Sequence, residues 1–195
     1  FCPRGAMSTW RDQSKVPLIN GAIDSLLALK VLQSHTRSNG KFGTTGHSRG
    51  GTNSFFLSDV KLTSKFLEGT KGFDAILPEA AECRMAGFFA EPELTSNTTM
   101  LVVHGGADDY TLAKFCKEHA ERIKAPPGKV KVDIKEGWYH VWHAGKKPWR
   151  EKMAMTLHDC PDFFVDNEGR FTNPIWVEWM VNKHKVYPSV EAFYE

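Results

Sequence analysis

The sequence predicts an α/β fold built on a mostly parallel sheet with flanking helices. Three observations carry this. Short strand-like runs alternate with helix-like segments along the chain. Thr99-Met100-Leu101-Val102-Val103-His104 is apolar almost throughout, as in a strand of a parallel sheet. A glycine-rich turn, Gly46 to Gly51, joins a β-prone run to an apolar helix candidate. With 195 residues, 41% apolar and 25% charged, the chain suits a single domain over 1–195 with a sizeable core. Its segment 144–195 reads as less regular.

Taken in order, residues 1–20 read as a loop, with Pro3, Gly5 and Pro17 among polar residues. Residues 20–35 read as a helix: Ile23, Leu26, Leu27, Lys30 and Val31 recur at helical spacing, and Leu29 and Leu32 widen the apolar face. Asn39-Gly40 is a turn signal, and the strand before Gly46 and a helix from about Arg49 to Leu57 follow it. Residues 60–72 read as polar and Gly-punctuated, Phe73 to Pro78 as a short buried strand, and 79–97 as irregular with room for a short helix. Thr111 to Lys124 reads as a helix with Leu112, Phe115, His119 and Ile123 near one face, stopped by Pro126-Pro127-Gly128. Lys129 to Lys135 alternates as a half-exposed strand does and ends at Gly137-Trp138-Tyr139-His140. Residues 174–183 carry the pattern of a last helix.

Net charge is +2, which gives no electrostatic case for nucleic acid. No apolar run reaches the length of a membrane span. Phe1-Cys2-Pro3-Arg4 does not read as a signal peptide. Four cysteines, at 2, 83, 116 and 160, include no Cys-x-x-Cys, so no zinc site is expected. They are either free and buried or paired in an exported protein; free thiols, and with them a cytoplasmic setting, are the expectation. Nothing in the sequence calls for a metal or a cofactor.

Gly46-His47-Ser48-Arg49-Gly50 is a Gly-x-Ser-x-Gly pentapeptide between strand and helix, the sequence form of a nucleophile elbow. The sharp turn requires small residues two before and two after the serine, and Gly46 and Gly50 meet that need, while Gly51 adds room where the helix packs on the strand. Active-site groups of such sheets sit at the C-terminal strand ends. Ser48, Asp108 and His140 fall at three of those ends in the chain order that α/β-hydrolases use. Ser48 is the expected nucleophile, His140 its general base and Asp108 the acid that orients the imidazole. The backbone N–H of Arg49 is an expected oxyanion donor. Asp109 competes with Asp108, either as the acid or as a helix cap. His143 competes with His140. His47 reads as packed in the elbow, and His104 as a satisfied core histidine. Arg4, Trp10, His47, Tyr139 and Trp142 are the candidates to line a substrate cleft, the alternative being that the aromatics pack the core and loops; Arg4 and Arg49 either meet a substrate carboxylate or pair with Asp12 or Asp24.

The chain resembles the dienelactone hydrolase-like branch of the α/β-hydrolase superfamily over about residues 1–143. The matching segments are Phe1-Cys2-Pro3-Arg4-Gly5 with Asp12-Gln13-Ser14, the helix at 20–35, Gly46 to Gly51, His104-Gly105-Gly106-Ala107-Asp108-Asp109, and Trp138-Tyr139-His140. Residue by residue, the resemblance implies Ser48, Asp108 and His140 as the triad. Dienelactone hydrolases proper use a cysteine nucleophile where this chain has Ser48, which implies an esterase- or peptidase-like serine hydrolase. In the family the Pro-Arg-Gly segment follows the fourth strand. The resemblance therefore implies that this is the C-terminal part of the full fold, without the loop that gives the second oxyanion donor. The elbow strand would then have a bare edge, to be covered by an N-terminal segment, another chain or a homodimer partner.

The expected function is cleavage of a small-molecule carboxylic ester through an acyl-enzyme. The rivals are a prolyl oligopeptidase-like peptidase and a non-catalytic α/β-hydrolase-like module that binds a partner.

Overall fold

The computed structural model describes residues 17–84, 86–145, 147, 160–175 and 178. Five helical or extended segments succeed one another before the first long strand: α1 (Leu18–Gln33), β1 (Gly43–His47), α2 (Arg49–Phe56), α3 (Val60–Leu67) and β2 (Ala75–Glu79). Then come β3 (Phe88–Phe89), β4 (Thr99–Gly105), α4 (Ala113–Arg122), β5 (Val130–Lys135), a short 3-10 helix at Trp142–Ala144 and β6 (Phe164–Val165). Among the described residues the main sheet has four strands in the order β1-β2-β4-β5, every pair parallel. β3 and β6 form a separate two-stranded parallel pair. Parallel neighbours need crossover connections. Here α2 and α3 lie between β1 and β2, and α4 lies between β4 and β5. The result is a mostly parallel sheet with flanking helices, as the sequence predicts.

The core lies between these helices and one face of the sheet. Ile76, Met100 and Val102 meet Leu26, Leu29, Phe55, Leu57, Leu67 and Cys116 there, each at most 2% exposed. Burial alternates along β4, because residues on a strand face opposite sides. Met100, Val102 and His104 are fully buried, while Leu101 on the other face is 40% exposed. An apolar run thus hides a one-sided pattern.

Several elements differ from expectation. The buried stripe of α1 is Gly21, Ala22, Leu26 and Leu29, whereas Leu27, Val31 and Leu32 are exposed. Leucines stand on every side of this helix, so spacing alone does not choose its inner face. The polar stretch 60–72 contains α3. Asp59 caps this helix by accepting from the Lys61 N–H at 2.8 Å, and Leu62, Thr63 and Leu67 are buried. Within 79–97 the regular piece is β3, a strand rather than a helix. The cysteines correct a chemical expectation: Cys83 and Cys116 form a disulfide, and Cys160 is a free thiol. α4 carries Cys116 onto the segment that leaves β2, and that juxtaposition pairs two residues 33 positions apart. The proposed helix at 174–183 lies mostly outside the described residues, as do Arg4, Trp10 and Asp12. No helix among the described residues is long and apolar enough to cross a membrane.

Candidate active site

The site forms where β1, β4 and β5 end. β1 passes into α2 through Ser48, whose backbone sits at φ 55° and ψ −118°. A positive φ costs a non-glycine residue on the order of 1–3 kcal/mol. The surrounding contacts hold it: the Ser48 N–H donates to Glu79 O at 2.8 Å, and Thr52 N–H donates to Ser48 O at 3.0 Å. The requirement for small residues falls on Gly46 and Gly51. A Cβ on Gly46 would collide with the Gly50 backbone, and one on Gly51 with the Glu79 carbonyl. A Cβ on Gly50 itself would meet nothing, so the expectation that Gly50 must be small for steric reasons is corrected. Arg49 is the first residue of α2, where helix N–H groups point outward along the axis. Its side chain is half-buried, and burial lowers its pKa.

The loop after β4 carries Asp108, and the loop after β5 carries His140. Backbone contacts stitch the two together. Gly106 N–H donates to Lys135 O at 2.8 Å, and Ala107 N–H donates to Trp138 O at 2.9 Å. A Cβ on Gly105 would strike that same Trp138 carbonyl, so the close approach needs a glycine. Asp108 is buried, and its Oδ1 accepts from the Tyr110 and Thr111 N–H groups, both at 3.0 Å. Its Oδ2 accepts from His140 Nδ1 at 2.8 Å. His140 Nε2 stands 2.9 Å from Ser48 Oγ. Burial works to raise the Asp108 pKa, but the bond and charge of His140 and the two backbone N–H donors outweigh it, and the carboxyl lies below its ordinary value. The His140 side chain is 16% exposed, so one edge of the site meets solvent.

Aromatic rings seat this constellation. Tyr110 places its ring edge-on to His140 at 4.9 Å. His47 packs against His143 at 4.3 Å, His140 at 5.2 Å and Trp142 at 5.3 Å. Burial and the charges of His140 and His143 push the His47 pKa down to about 4, so its ring is neutral at pH 7. Tyr139 is 46% exposed and Trp142 is half-buried. Asp109 does not cap α4; Leu112 occupies that position with no side-chain cap. His104 is fully buried, with Nε2 3.3 Å from Ala81 O and Nδ1 3.8 Å from Asp108 Oδ2. Among the described residues, no group of three His, Cys, Asp or Glu side chains is disposed to hold a metal ion.

Of the residues singled out in the sequence, the structure brings Ser48, His140 and Asp108 into one hydrogen-bonded line, with His47, Arg49 and Trp142 around it. Sequence reasoning missed Tyr110 and Thr111. Their positions, two and three residues after a loop aspartate, are those from which backbone N–H groups commonly turn back onto a carboxylate.

The fold is similar to those of several solved α/β serine hydrolases. One from Xanthomonas campestris, described as having no lid, shares 17% identity with a TM-score of 0.44, covering 62% of this chain and 48% of that one. A serine hydrolase homologue from Coxiella burnetii shares 16% identity with a TM-score of 0.40, over 62% and 51%. Esterase 2 of Thermogutta terrifontis shares 16% identity with a TM-score of 0.49, over 66% and 57%. The present chain spans about half the length of these proteins. No protein-family profile matches the sequence. No curated protein matches it either.

Proposed function

We propose that this chain is a serine hydrolase of the dienelactone hydrolase-like kind, with Ser48 as nucleophile, acting on a carboxylic ester. The observation that carries the reading is the line Ser48 Oγ, His140 Nε2, His140 Nδ1, Asp108 Oδ2, with links of 2.9 and 2.8 Å. Both distances lie within the reach that proton transfer needs. In this mechanism Ser48 Oγ attacks the ester carbonyl carbon and its proton passes to His140 Nε2. The carbonyl electrons move onto oxygen, and the Arg49 N–H donates to that oxyanion. As the tetrahedral species collapses, the bond to the alkoxy oxygen breaks and His140 returns the proton to the departing alcohol. Water then attacks the acyl-enzyme carbonyl with His140 taking its proton, and as the bond from the acyl carbon to Ser48 Oγ breaks, His140 returns that proton to Oγ and the acid product leaves. Asp108 stays ionised throughout, which suits its lowered pKa.

Labelling with a fluorophosphonate, and locating the adduct by mass spectrometry, tests this. The expected result is one adduct on Ser48, lost in Ser48→Ala. A folded chain that takes no label would instead fit a non-catalytic binding module. Among the described residues β1 is an edge strand of the sheet, which favours that rival, because an edge can take another strand.

A further inference from the structure

Thr111 lies within the hydrogen-bonded line without having been assigned to it. It is 2% exposed. Its Oγ1 stands 3.0 Å from Asp108 Oδ2, 3.1 Å from His140 Nδ1 and 3.2 Å from Ala80 O. A hydroxyl has one proton to give and two lone pairs to receive. Ionised Asp108 and the Ala80 carbonyl only accept, so the Thr111 proton goes to one of them. A lone pair of Oγ1 is then left for His140. The Nδ1–H of His140 thus faces two acceptors, the Asp108 carboxylate at 2.8 Å and Thr111 Oγ1 at 3.1 Å.

We propose that Thr111 is a positioning residue for the hydrolytic reaction, fixing His140 as the Nδ1–H tautomer with its Nε2 lone pair on Ser48. The inference rests on the reading of Ser48, His140 and Asp108 given above. A carboxylate alone restrains the imidazole along one line; a second acceptor beside it also restrains the tilt of the ring. The hydroxyl does more than fill space, because its third neighbour ties the site to the serine. Ala80 follows Glu79, whose carbonyl receives the Ser48 N–H. Ala80 itself sits at φ 43°, a left-handed conformation that costs a residue with a side chain on the order of 1–3 kcal/mol. Its N–H donates to Val103 O at 3.0 Å. Thr111 therefore joins the acid loop, the histidine loop and the strand end that supports the elbow.

Two substitutions separate hydroxyl from shape. Thr111→Val keeps the branched shape and puts a methyl in place of the hydroxyl; Thr111→Ser keeps the hydroxyl and loses the methyl. With p-nitrophenyl acetate as the probe ester, the expected result for Thr111→Val is a fall in kcat of roughly ten- to a hundredfold with KM unchanged, the size of losing a hydrogen bond to a charged group. Thr111→Ser should restore most of the rate. A Thr111→Val enzyme as fast as wild type overturns the proposal. So does a Thr111→Ser enzyme that loses as much rate as Thr111→Val, with melting temperatures falling in parallel. If wild type neither hydrolyses the probe nor takes a fluorophosphonate, the hydrolase reading fails on its own. Thr111 is then judged by proton NMR of the His140 Nδ1–H resonance. A resonance present in wild type and Thr111→Ser but lost or shifted in Thr111→Val supports the positioning role; one unmoved in Thr111→Val overturns it.

Discussion

At the scale of single residues, the site is a matter of which atom holds a proton. Asp108 accepts four donors when the Thr111 hydroxyl turns toward it: two backbone N–H groups on Oδ1, and His140 and Thr111 on Oδ2. Asp108→Asn keeps the shape but places an NH2 group among those donors. The imidazole must then present Nδ1 as an acceptor, which puts a proton on Nε2, where the proposed reaction needs a lone pair facing Ser48. The expected loss in kcat is on the order of 10³–10⁴-fold, with a melting temperature close to wild type. Ester hydrolysis at pH 7 measures it, and a loss of less than about tenfold would show that Asp108 does not set the tautomer. His47 makes a second residue-level case. Its ring is held below ordinary histidine basicity by burial and by His140 and His143. A histidine NMR titration should find it still neutral at pH 5 and half-protonated at about 4. A midpoint near 6.5 would mean the packing against Trp142 and His143 opens in solution.

At the scale of elements, the disulfide decides how firmly α4 sits against the exit of β2. Cys83 and Cys116 are both buried, at 2% and 0%. Closing a loop of 33 residues stabilises a chain by about 3–4 kcal/mol in the chain-entropy account. Reduction under denaturing conditions, followed by refolding with reductant present, should therefore lower the urea midpoint substantially. An unchanged midpoint would mean that the pairing contributes little. The motif-bearing turns were legible because glycines, a serine, an aspartate and a histidine announce them locally, and strand-to-strand alternation supplied their order. The disulfide was not legible, because it depends on where a helix crosses a sheet. α3 was hidden by Thr63, Ser64 and lysines, although Asp59 ahead of Val60 was an available start signal. The inner face of α1 was misassigned for the opposite reason, an excess of leucine. Thr111 was overlooked because its proposed role comes from three partners on separate segments: Asp108, His140 and Ala80.

At the scale of the whole molecule, one buried histidine links acid stability to the core. His119 on α4 is 2% exposed and stands among Phe55 of α2, Phe88 of β3 and Phe164 of β6. Arg122 donates to its Nδ1 at 3.0 Å and lies over the Phe164 ring at 4.1 Å, so the neutral ring carries its proton on Nε2. Burial first, and the Arg122 charge second, push its pKa down to about 3. Unfolding returns it to about 6.5, so below that pH the unfolded chain binds the extra proton. The stability that His119 contributes is full above about pH 6.5 and is lost as pH falls toward 3, a change on the order of several kcal/mol. Carboxyl groups add their own slopes, Asp59 with the opposite sign because burial raises its pKa. A single substitution isolates the histidine. His119→Phe keeps an aromatic ring in the cage and removes the titrating group. Urea midpoints from pH 7 to pH 4 should show the variant losing less stability than wild type, by up to about 1.4 kcal/mol for each pH unit below 6.5. The stability at pH 7 sets the height of the variant's curve and does not enter the comparison of slopes. Parallel curves would place the acid sensitivity elsewhere, and would mean that the cage of phenylalanines opens far enough for His119 to take a proton without unfolding.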